Sequence, residues 1–318
     1  MIAIKDLIVI TGPTASGKTA LSVRLAKELG AEIVNADSMQ IYKYMDIGTA
    51  KPTVEEREGV PHHLIDIVNP DELFSVARYC ECAKSAIDDI HSRGKTAVMV
   101  GGTGLYVDSL VNNIQFSETE PDEEYRQLLE TEAQERGNEC IYEKLKAIDP
   151  ESAAKIAVQD TKRIIRALEV YHVTGKTITW HNEQSRSVPS PYNTTMFAIS
   201  MDRDALYDKI NRRVDVMLEL GLVDEVKKIL EMGVDEKATS MQAIGYKEIV
   251  GYLKGEISLE KAADDIKQGS RRYAKRQLTW FRRERDVIWV DKNNYDHDEE
   301  KILDVMLSYV KERINTSC

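Results

Sequence analysis

The chain has 318 residues, of which 42% are hydrophobic and 31% charged, a composition typical of a globular protein and not of a disordered one. No apolar run reaches the roughly 18–20 residues of a membrane helix, and the first predicted strand begins too early to leave room for a signal peptide. The four scattered cysteines, Cys80, Cys82, Cys140 and Cys318, suit neither a disulfide framework nor a four-ligand zinc site. We therefore expect a cytoplasmic protein without a membrane partner.

Charge is distributed unevenly along the chain. The net charge is −11, which argues against a nucleic-acid partner because the neutralisation of phosphates usually needs a basic protein. However, residues 118–139 are strongly acidic, whereas residues 267–285 hold eight Lys or Arg and one Glu. The acidic total can therefore hide a local basic face.

The first 112 residues predict strands that alternate with helices. Apolar runs predict four strands, at residues 7–11, 32–36, 64–68 and 96–100. Helical patterns lie between them at residues 21–29 and 75–91. Runs rich in β-branched residues that alternate with helices are typical of a parallel sheet covered on both faces, so the expected fold class is α/β.

After Pro121 the pattern becomes helical. Helices are predicted at residues 123–136, 141–147, 152–157, 161–172 and 178–183. Residues 185–193 are rich in Ser and Pro and predict a linker, after which strands are predicted at 195–200 and 287–290. The expected organisation is an all-helical insertion domain, residues 117–194, within an α/β core formed by residues 1–116 and 195–318 that ends in a mostly helical part.

A phosphate-binding motif follows the first predicted strand. It reads G-x-x-x-x-G-K-[ST] and consists of Gly12, Pro13, Thr14, Ala15, Ser16, Gly17, Lys18 and Thr19. In such a P-loop, backbone N–H groups surround a phosphate, Lys18 adds charge and Thr19 can hold Mg²⁺. A chance glycine turn is the alternative, but the strand before and the helix after are those the motif requires. The core is therefore expected to be P-loop NTPase-like, and the commonest use of such loops favours nucleotide binding, ATP above all.

Polar residues also follow two other predicted strands, at the edge where ligands bind in open α/β sheets. Asp37 could hold Mg²⁺ through water or act as a general base, and a helix cap is an equally good interpretation. The segment 101–104 combines three glycines with Thr103, which lets a ligand approach the backbone, although a plain strand-to-helix turn also fits. Arg213 could supply a cation to a leaving phosphate, but an arginine pair on a helix is more often solvated.

Two further patterns have competing interpretations. Residues 267–283 interleave basic residues with Tyr273 and Trp280, which combines phosphate neutralisation with stacking surface. An amphipathic helix with its aromatic residues in the core is the alternative, and composition alone slightly favours it. The neighbours His62 and His63 are not expected to bind a metal, because adjacent side chains point in different directions and no third ligand has a useful spacing.

Eight ordered blocks of sequence, covering nearly the whole chain, resemble the tRNA dimethylallyltransferases, also called tRNA isopentenyltransferases. They are GPTASGKT (12–19), DSMQIY (37–42), DIGTAKP (46–52), PHHLID (61–66), GGTGLY (101–106), RIIRALEV (163–170), QAIGYKE (242–248) and AKRQLTWFR (274–282). One P-loop would be weak support, but eight blocks in order are specific. The zinc finger of eukaryotic members has no counterpart here, so the resemblance is to the bacterial form.

The resemblance implies a reaction and roles for particular residues. A dimethylallyl group would pass from dimethylallyl diphosphate to the exocyclic amine of the adenosine 3′ of the anticodon in tRNA, giving isopentenyladenosine and diphosphate. The P-loop would hold the donor's diphosphate, with Lys18, Thr19, Mg²⁺ and Arg213 stabilising the charge that develops on it. Asp37 would take the proton from the amine, and Thr103 would help to position the reacting groups.

The resemblance also implies a surface that holds the tRNA anticodon stem-loop, and we expect the protein to act as a monomer. Its residues are Asp37, Ser38, Met39, Gln40, Thr103, Arg126, Lys162, Arg163, Ile164, Ile165, Arg166, Gln242, Gly245, Tyr246 and Lys247, with Arg276 from the basic stretch. The target base would be extruded from the loop. Three alternatives stay open: an adenylate isopentenyltransferase, a nucleotide kinase of the same fold, and a P-loop RNA-binding ATPase that transfers no prenyl group.

Overall fold

A computed structural model describes residues 4–115, 122–284 and 286–316. The chain divides into two compact units, one formed by residues 1–111 and 191–318 and the other by residues 112–190. The predicted boundary at residue 117 lies outside the described residues, as do the start of the acidic run, Arg285 of the basic stretch and Cys318.

A six-stranded parallel sheet forms the centre of the first unit. Its strands are β1 Lys5–Thr11, β2 Glu32–Asn35, β3 His62–His63, β4 Ala97–Val100, β5 Tyr192–Ser200 and β6 Val287–Asp291. The strand order is β3-β2-β4-β1-β5-β6, and each neighbouring pair is parallel. β1 therefore lies between two other strands, which places the P-loop at the middle of the carboxyl edge of the sheet. The expected α/β core is confirmed.

Helices cover this sheet and extend it. In chain numbering they are α1 Lys18–Leu29, α2 Val76–Ser92, α3 Gly104–Val111, α9 Arg203–Glu219, α10 Leu222–Glu231, α11 Tyr246–Leu253, α12 Leu259–Phe281 and α13 Glu299–Thr316. Apolar residues of α1 and α13, such as Leu21 and Met306, share one hydrophobic core with Phe197 of the sheet. A second core, around Tyr42 and Tyr246, joins α9–α12 to the loop after β2.

The strand expected at 64–68 was wrong. The chain instead forms the short β3, because Leu64 and Asp66 adopt left-handed backbone angles (φ 62° and 57°) that turn the chain out of the sheet. The linker expected at 185–193 contains the boundary between the two units but is shorter than predicted, since α8 runs from Ile178 to Ser187 and β5 starts at Tyr192. β5 starts this early because Tyr192 pairs with Lys5, the first residue of β1.

The second unit is helical throughout its described residues. Its helices are α4 Glu123–Arg136, α5 Asn138–Ile148, α6 Pro150–Ala153, α7 Thr161–Thr174 and α8 Ile178–Ser187. Leu129, Leu145 and Leu168 lie in its core. The helix predicted at 152–157 is displaced to α6, because Asp149 accepts a hydrogen bond from Ser152 N (3.0 Å) and Pro150 suits a first helical position.

Within the described segments of both units, none of the helices combines the length and the apolar character that crossing a bilayer requires.

Candidate active site

The P-loop connects β1 to α1, and two of its glycines are required by the backbone. Gly12 has φ 137°, and a Cβ there would lie 2.5 Å from Ile199 O on β5. Gly17 caps α1 in the left-handed region (φ 85°), which directs the start of the helix toward the loop. The loop is thus a strand-to-helix turn whose N–H groups and helix terminus favour an anion.

Two cations lie beside this loop. Lys18 Nζ donates to Pro13 O at 2.6 Å, and Arg213 Nη1 lies 3.4 Å from Thr14 Oγ1. Burial, followed by the charge of Arg213, lowers the pKa of Lys18 to about 7. Burial also lowers the pKa of Arg213. Because burial disfavours the charged form of both side chains, and the charge of Arg213 further disfavours that of Lys18, an anionic ligand beside them would stabilise both charges.

Asp37 follows β2 and places a carboxylate in the same cleft. Its Oδ1 accepts from Met39 N at 2.9 Å, and Asn35 Oδ1 accepts from Asp37 N at 3.2 Å. No helix starts here, so Asp37 closes a turn and does not cap a helix. Burial raises the pKa of Asp37, despite the charge of Lys18. Asp37 is half-buried, and a carboxylate with a raised pKa is a better proton acceptor than one with an ordinary pKa.

Thr103, at the end of the glycine-rich segment after β4, holds the turn that carries Asp37. Its Oγ1 accepts from Ser38 N at 3.0 Å, and its own N–H donates to Ala36 O at 3.1 Å. The segment leads from β4 into α3, which begins at Gly104, so it is the strand-to-helix turn that the sequence allowed. Its glycines also let other atoms come close to the backbone. A Cβ at Gly101 would lie 2.2 Å from the backbone of Ala36.

Sequence reasoning missed Gln277, which links the P-loop to the glycine-rich segment. Gln277 is buried, its Oε1 accepts from Thr14 N at 2.8 Å, and its Nε2 donates to Gly102 O at 2.9 Å. Tyr273 lines the cleft one turn earlier on α12, and burial raises its pKa to about 12. The four-residue spacing of Tyr273 and Gln277 was a usable signal, since it puts both on one helix face.

These side chains border one cleft of about 610 Å³. Three of the predicted catalytic residues line it: Lys18, Asp37 and Arg213. The fourth, Thr103, accepts a hydrogen bond from the N–H of Ser38, the residue after Asp37. Thr19 also lines the cleft. Its apolar surface includes Val216 and Met217 of α9 and Leu220, the residue that follows this helix. Cationic, carboxylate and apolar side chains therefore border a single cavity.

Most of residues 46–51 also line the cleft, and two predicted RNA-contacting residues, Gln40 and Tyr246, support this segment. Gln40 Nε2 donates to Thr49 O at 3.1 Å. Glu225 accepts from the N–H groups of residues 46–48 at 2.7–3.0 Å. Tyr246 is fully buried and its hydroxyl donates to Glu225 at 2.6 Å. Tyr246 is therefore placed to shape this segment through Glu225.

The other predicted RNA-contacting residues occupy different environments. Lys162, Arg163, Gln242, Lys247 and Arg276 are exposed, and Ser38, Met39, Arg126 and Arg166 are half-buried, whereas Ile164, Ile165 and Gly245 are buried. The side chains of Ile164 and Ile165 form part of the helical unit's core, because α7 turns this face inward. The Arg276 guanidinium lies 5.6 Å from the centre of the Tyr273 ring. In the basic stretch, Phe281 is buried and Trp280 packs where a Cβ of Gly104 would be.

The adjacent histidines both have structural partners. His62 Nδ1 lies 2.8 Å from Val60 O, and His63 Nε2 lies 2.8 Å from the Glu32 carboxylate. The contact of His63 with Glu32 links the short β3 strand to β2.

The fold and the cleft together define an α/β protein with a parallel sheet, in which the loop between β1 and α1 and the half-buried carboxylate of Asp37 line one cleft. The IPP transferase family matches residues 40–284, which is most of the chain, although the P-loop precedes the matched span. The tRNA dimethylallyltransferase of Acetivibrio thermocellus is 55% identical over 297 residues, 93% of this chain and 95% of that protein. That of a Thermoanaerobacter species is 52% identical over 93% of this chain and 94% of its own.

Solved structures give the same result. The tRNA isopentenylpyrophosphate transferase of Bacillus halodurans is 46% identical and superposes with a TM-score of 0.73, covering 98% of this chain and 99% of that one. A eukaryotic dimethylallyltransferase acting on tRNA is 30% identical, with a TM-score of 0.82 over 97% of this chain and 80% of its own. The chain belongs to the IPP transferase family, among the bacterial tRNA dimethylallyltransferases, and is a prenyl-transferring enzyme.

Proposed function

We propose that this protein transfers a dimethylallyl group from dimethylallyl diphosphate to the exocyclic amine of the adenosine 3′ of the anticodon in tRNA. The observation that carries the proposal is that the P-loop and Asp37 line one cleft. Alkyl transfer to an amine needs a site for the leaving diphosphate and an acceptor for the amine's proton. The cleft offers a candidate for each.

The P-loop is the proposed site of the donor's diphosphate. As the bond from the allylic carbon to the diphosphate oxygen breaks, negative charge grows on the leaving group. Lys18 and Arg213 are positioned to stabilise that charge, and burial makes their interaction with it stronger than in water. Val216, Met217 and Leu220 give the apolar dimethylallyl group a surface in the same cavity.

Asp37 is the proposed proton acceptor for the adenine amine. An adenine amine is a poor nucleophile, so its placement and the removal of its proton must contribute much of the rate. Thr103 keeps the turn of Asp37 in place through Ser38 N. Thr103 therefore contributes to the position of the acceptor.

Mg²⁺ is the proposed cofactor. Thr19 and Asp37 contribute a hydroxyl and a carboxylate to the cleft, oxygen donors of the kind Mg²⁺ prefers. The described residues contain no cluster of three or more His, Cys, Asp or Glu for a metal, which fits an ion that takes its other ligands from diphosphate and water. When bound, Mg²⁺ would neutralise diphosphate charge.

The anticodon stem-loop is the proposed RNA partner. Exposed Arg276 and Lys247 in the first unit, and Lys162 and Arg163 in the second, offer basic surface despite the acidic total. Recognition of shape and of splayed bases needs only local basic patches. We further propose that the protein acts as a cytoplasmic monomer.

The test is to offer labelled dimethylallyl diphosphate with either tRNA or AMP. We expect label in tRNA, with mass spectrometry locating the added group on the adenosine 3′ of the anticodon. Transfer to AMP alone would instead indicate an adenylate isopentenyltransferase. RNA-stimulated ATP hydrolysis without prenylated product would indicate an RNA-binding ATPase.

A further inference from the structure

A buried carboxylate in the helical unit holds two arginines. Glu169 of α7 is 0% exposed, and Arg126 Nε lies 2.8 Å from its Oε1. Arg126 Nη2 donates to Oε2 at 3.1 Å, and Arg166 Nη1 donates to the same oxygen at 2.6 Å. The N–H of Asp122, the residue that caps α4, donates to Oε1 at 2.9 Å. One carboxylate therefore ties α4 and α7 together and fixes both guanidinium groups.

Glu169 can balance the charge of only one of the two arginines. Arg126 also donates to the Glu123 carboxylate at 3.0 Å, but that side chain is 73% exposed, so solvent screens the pair. Burial acts to raise the pKa of Glu169, but the hydrogen bonds from Arg166 and Arg126 outweigh it, so the pKa lies below its ordinary value. The carboxylate is thus ionised at neutral pH. The side chains of Arg126 and Arg166 are 31% and 41% exposed, so both reach solvent while Glu169 does not.

We propose that Glu169 is a positioning residue that holds Arg126 and Arg166 as a preformed pair for a phosphate of the RNA backbone. This inference rests on the proposed function, since it assumes that tRNA is the substrate. A guanidinium is a planar fork that matches phosphate oxygens, and a fork held in place loses less side-chain freedom on binding. RNA phosphate is the occupant that the proposed function supplies, and both arginines are exposed enough for a phosphate to approach them.

The proposal and simple electrostatics predict opposite results when the Glu169 charge is removed. Removing a negative charge beside an RNA site should tighten binding and steepen its salt dependence. If Glu169 instead positions the arginines, its removal lets both side chains move and weakens binding. Glu123 provides the matched control, because its carboxylate also accepts from Arg126 (3.0 Å) but is 73% exposed and cannot hold the arginine as firmly.

The experiment measures tRNA affinity against salt concentration for wild type, Glu169→Gln and Glu123→Gln. We expect Glu169→Gln to bind tRNA about tenfold more weakly, the size expected when two long side chains must be ordered on binding, with a flatter salt dependence. Glu123→Gln should bind as tightly as wild type or slightly more tightly. Equal or tighter binding by Glu169→Gln, with a steeper salt dependence, would overturn the proposal.

Arg166→Lys keeps the test decisive if Glu169→Gln does not fold. It preserves the charge but removes the fork, so we expect several-fold weaker tRNA binding at an unchanged thermal midpoint. Unchanged affinity would overturn the proposal. Wild-type protein in the same assays separates a failure of the proposed function from a failure of the role of Glu169. If wild-type protein neither binds nor prenylates tRNA, the proposed function fails. If wild-type protein binds and prenylates tRNA and the variants behave in the same way, only the role of Glu169 fails.

Discussion

Asp37→Asn is the substitution that most directly tests the chemistry of the cleft. Asparagine has nearly the same shape and keeps an oxygen that can accept from Met39 N, the contact made at 2.9 Å by Asp37 Oδ1. The turn and its link to Thr103 should therefore persist. What is lost is the ability to take a proton.

The expected magnitude is that of losing a general base. Such a base typically contributes about 10²–10⁴-fold to the rate, so the single-turnover rate with saturating donor and tRNA should fall by that factor. tRNA affinity should change much less. Because burial raises the pKa of Asp37, the wild-type rate should decline as pH falls through that raised pKa, and the variant should lose this decline.

Although Asp37→Asn should lower the rate, it should not lower the thermal stability of the protein. A carboxyl whose pKa is raised on folding binds its proton more tightly in the folded state, so it costs stability once the pH exceeds its unfolded pKa. Asp37→Asn removes that cost, and its thermal midpoint at pH 7 should equal or exceed that of wild type. The reasoning is refuted if tRNA affinity falls as much as the rate, or if the variant retains the acidic decline.

Three further predictions concern other residues. Gln277→Ala leaves Thr14 N and Gly102 O without their partner, so it should lower the free energy of unfolding by about 1–3 kcal/mol and raise the KM for donor. Calorimetry measures the stability and steady-state kinetics the KM. An unchanged KM would argue against a role of Gln277 in the loop. Arg276→Ala should weaken tRNA binding and reduce its salt slope by roughly 0.7–0.9, and an unchanged slope would leave α12 with a structural role only. Glu32→Gln breaks contacts with Arg93 (2.5 Å) and Lys95 (2.8 Å) and should cost about 1–3 kcal/mol at pH 7, since the cations left behind are half-exposed. Hydrogen bonding from Arg93 lowers the pKa of Glu32, so the stabilisation by Glu32 is present above the ordinary pKa of a glutamate and is lost as pH falls. In urea unfolding, the difference in unfolding free energy between wild type and Glu32→Gln should shrink below about pH 4. A difference that stays constant with pH would contradict the ion pairing.

Local sequence patterns determined much of the fold. The P-loop followed from glycine and lysine spacing, because the required backbone angles at Gly12 and Gly17 leave a signature in residue type. The helical character of the second unit followed from its periodicity, and α4 matches the range predicted for it. Family resemblance, carried by eight blocks, supplied the reaction, which no spacing could specify.

Contacts between distant residues were decided only by the tertiary structure. Gln277 lies 263 residues from Thr14 yet bonds to its N–H, and no local pattern encodes such a pairing. Glu225 and Tyr246 hold the cleft-lining segment 46–51 in the same way, and the start of β5 was set by its pairing with β1. Sequence patterns report the periodicity and backbone needs of one segment, whereas the partner of a buried polar group depends on which segments the sheet brings together.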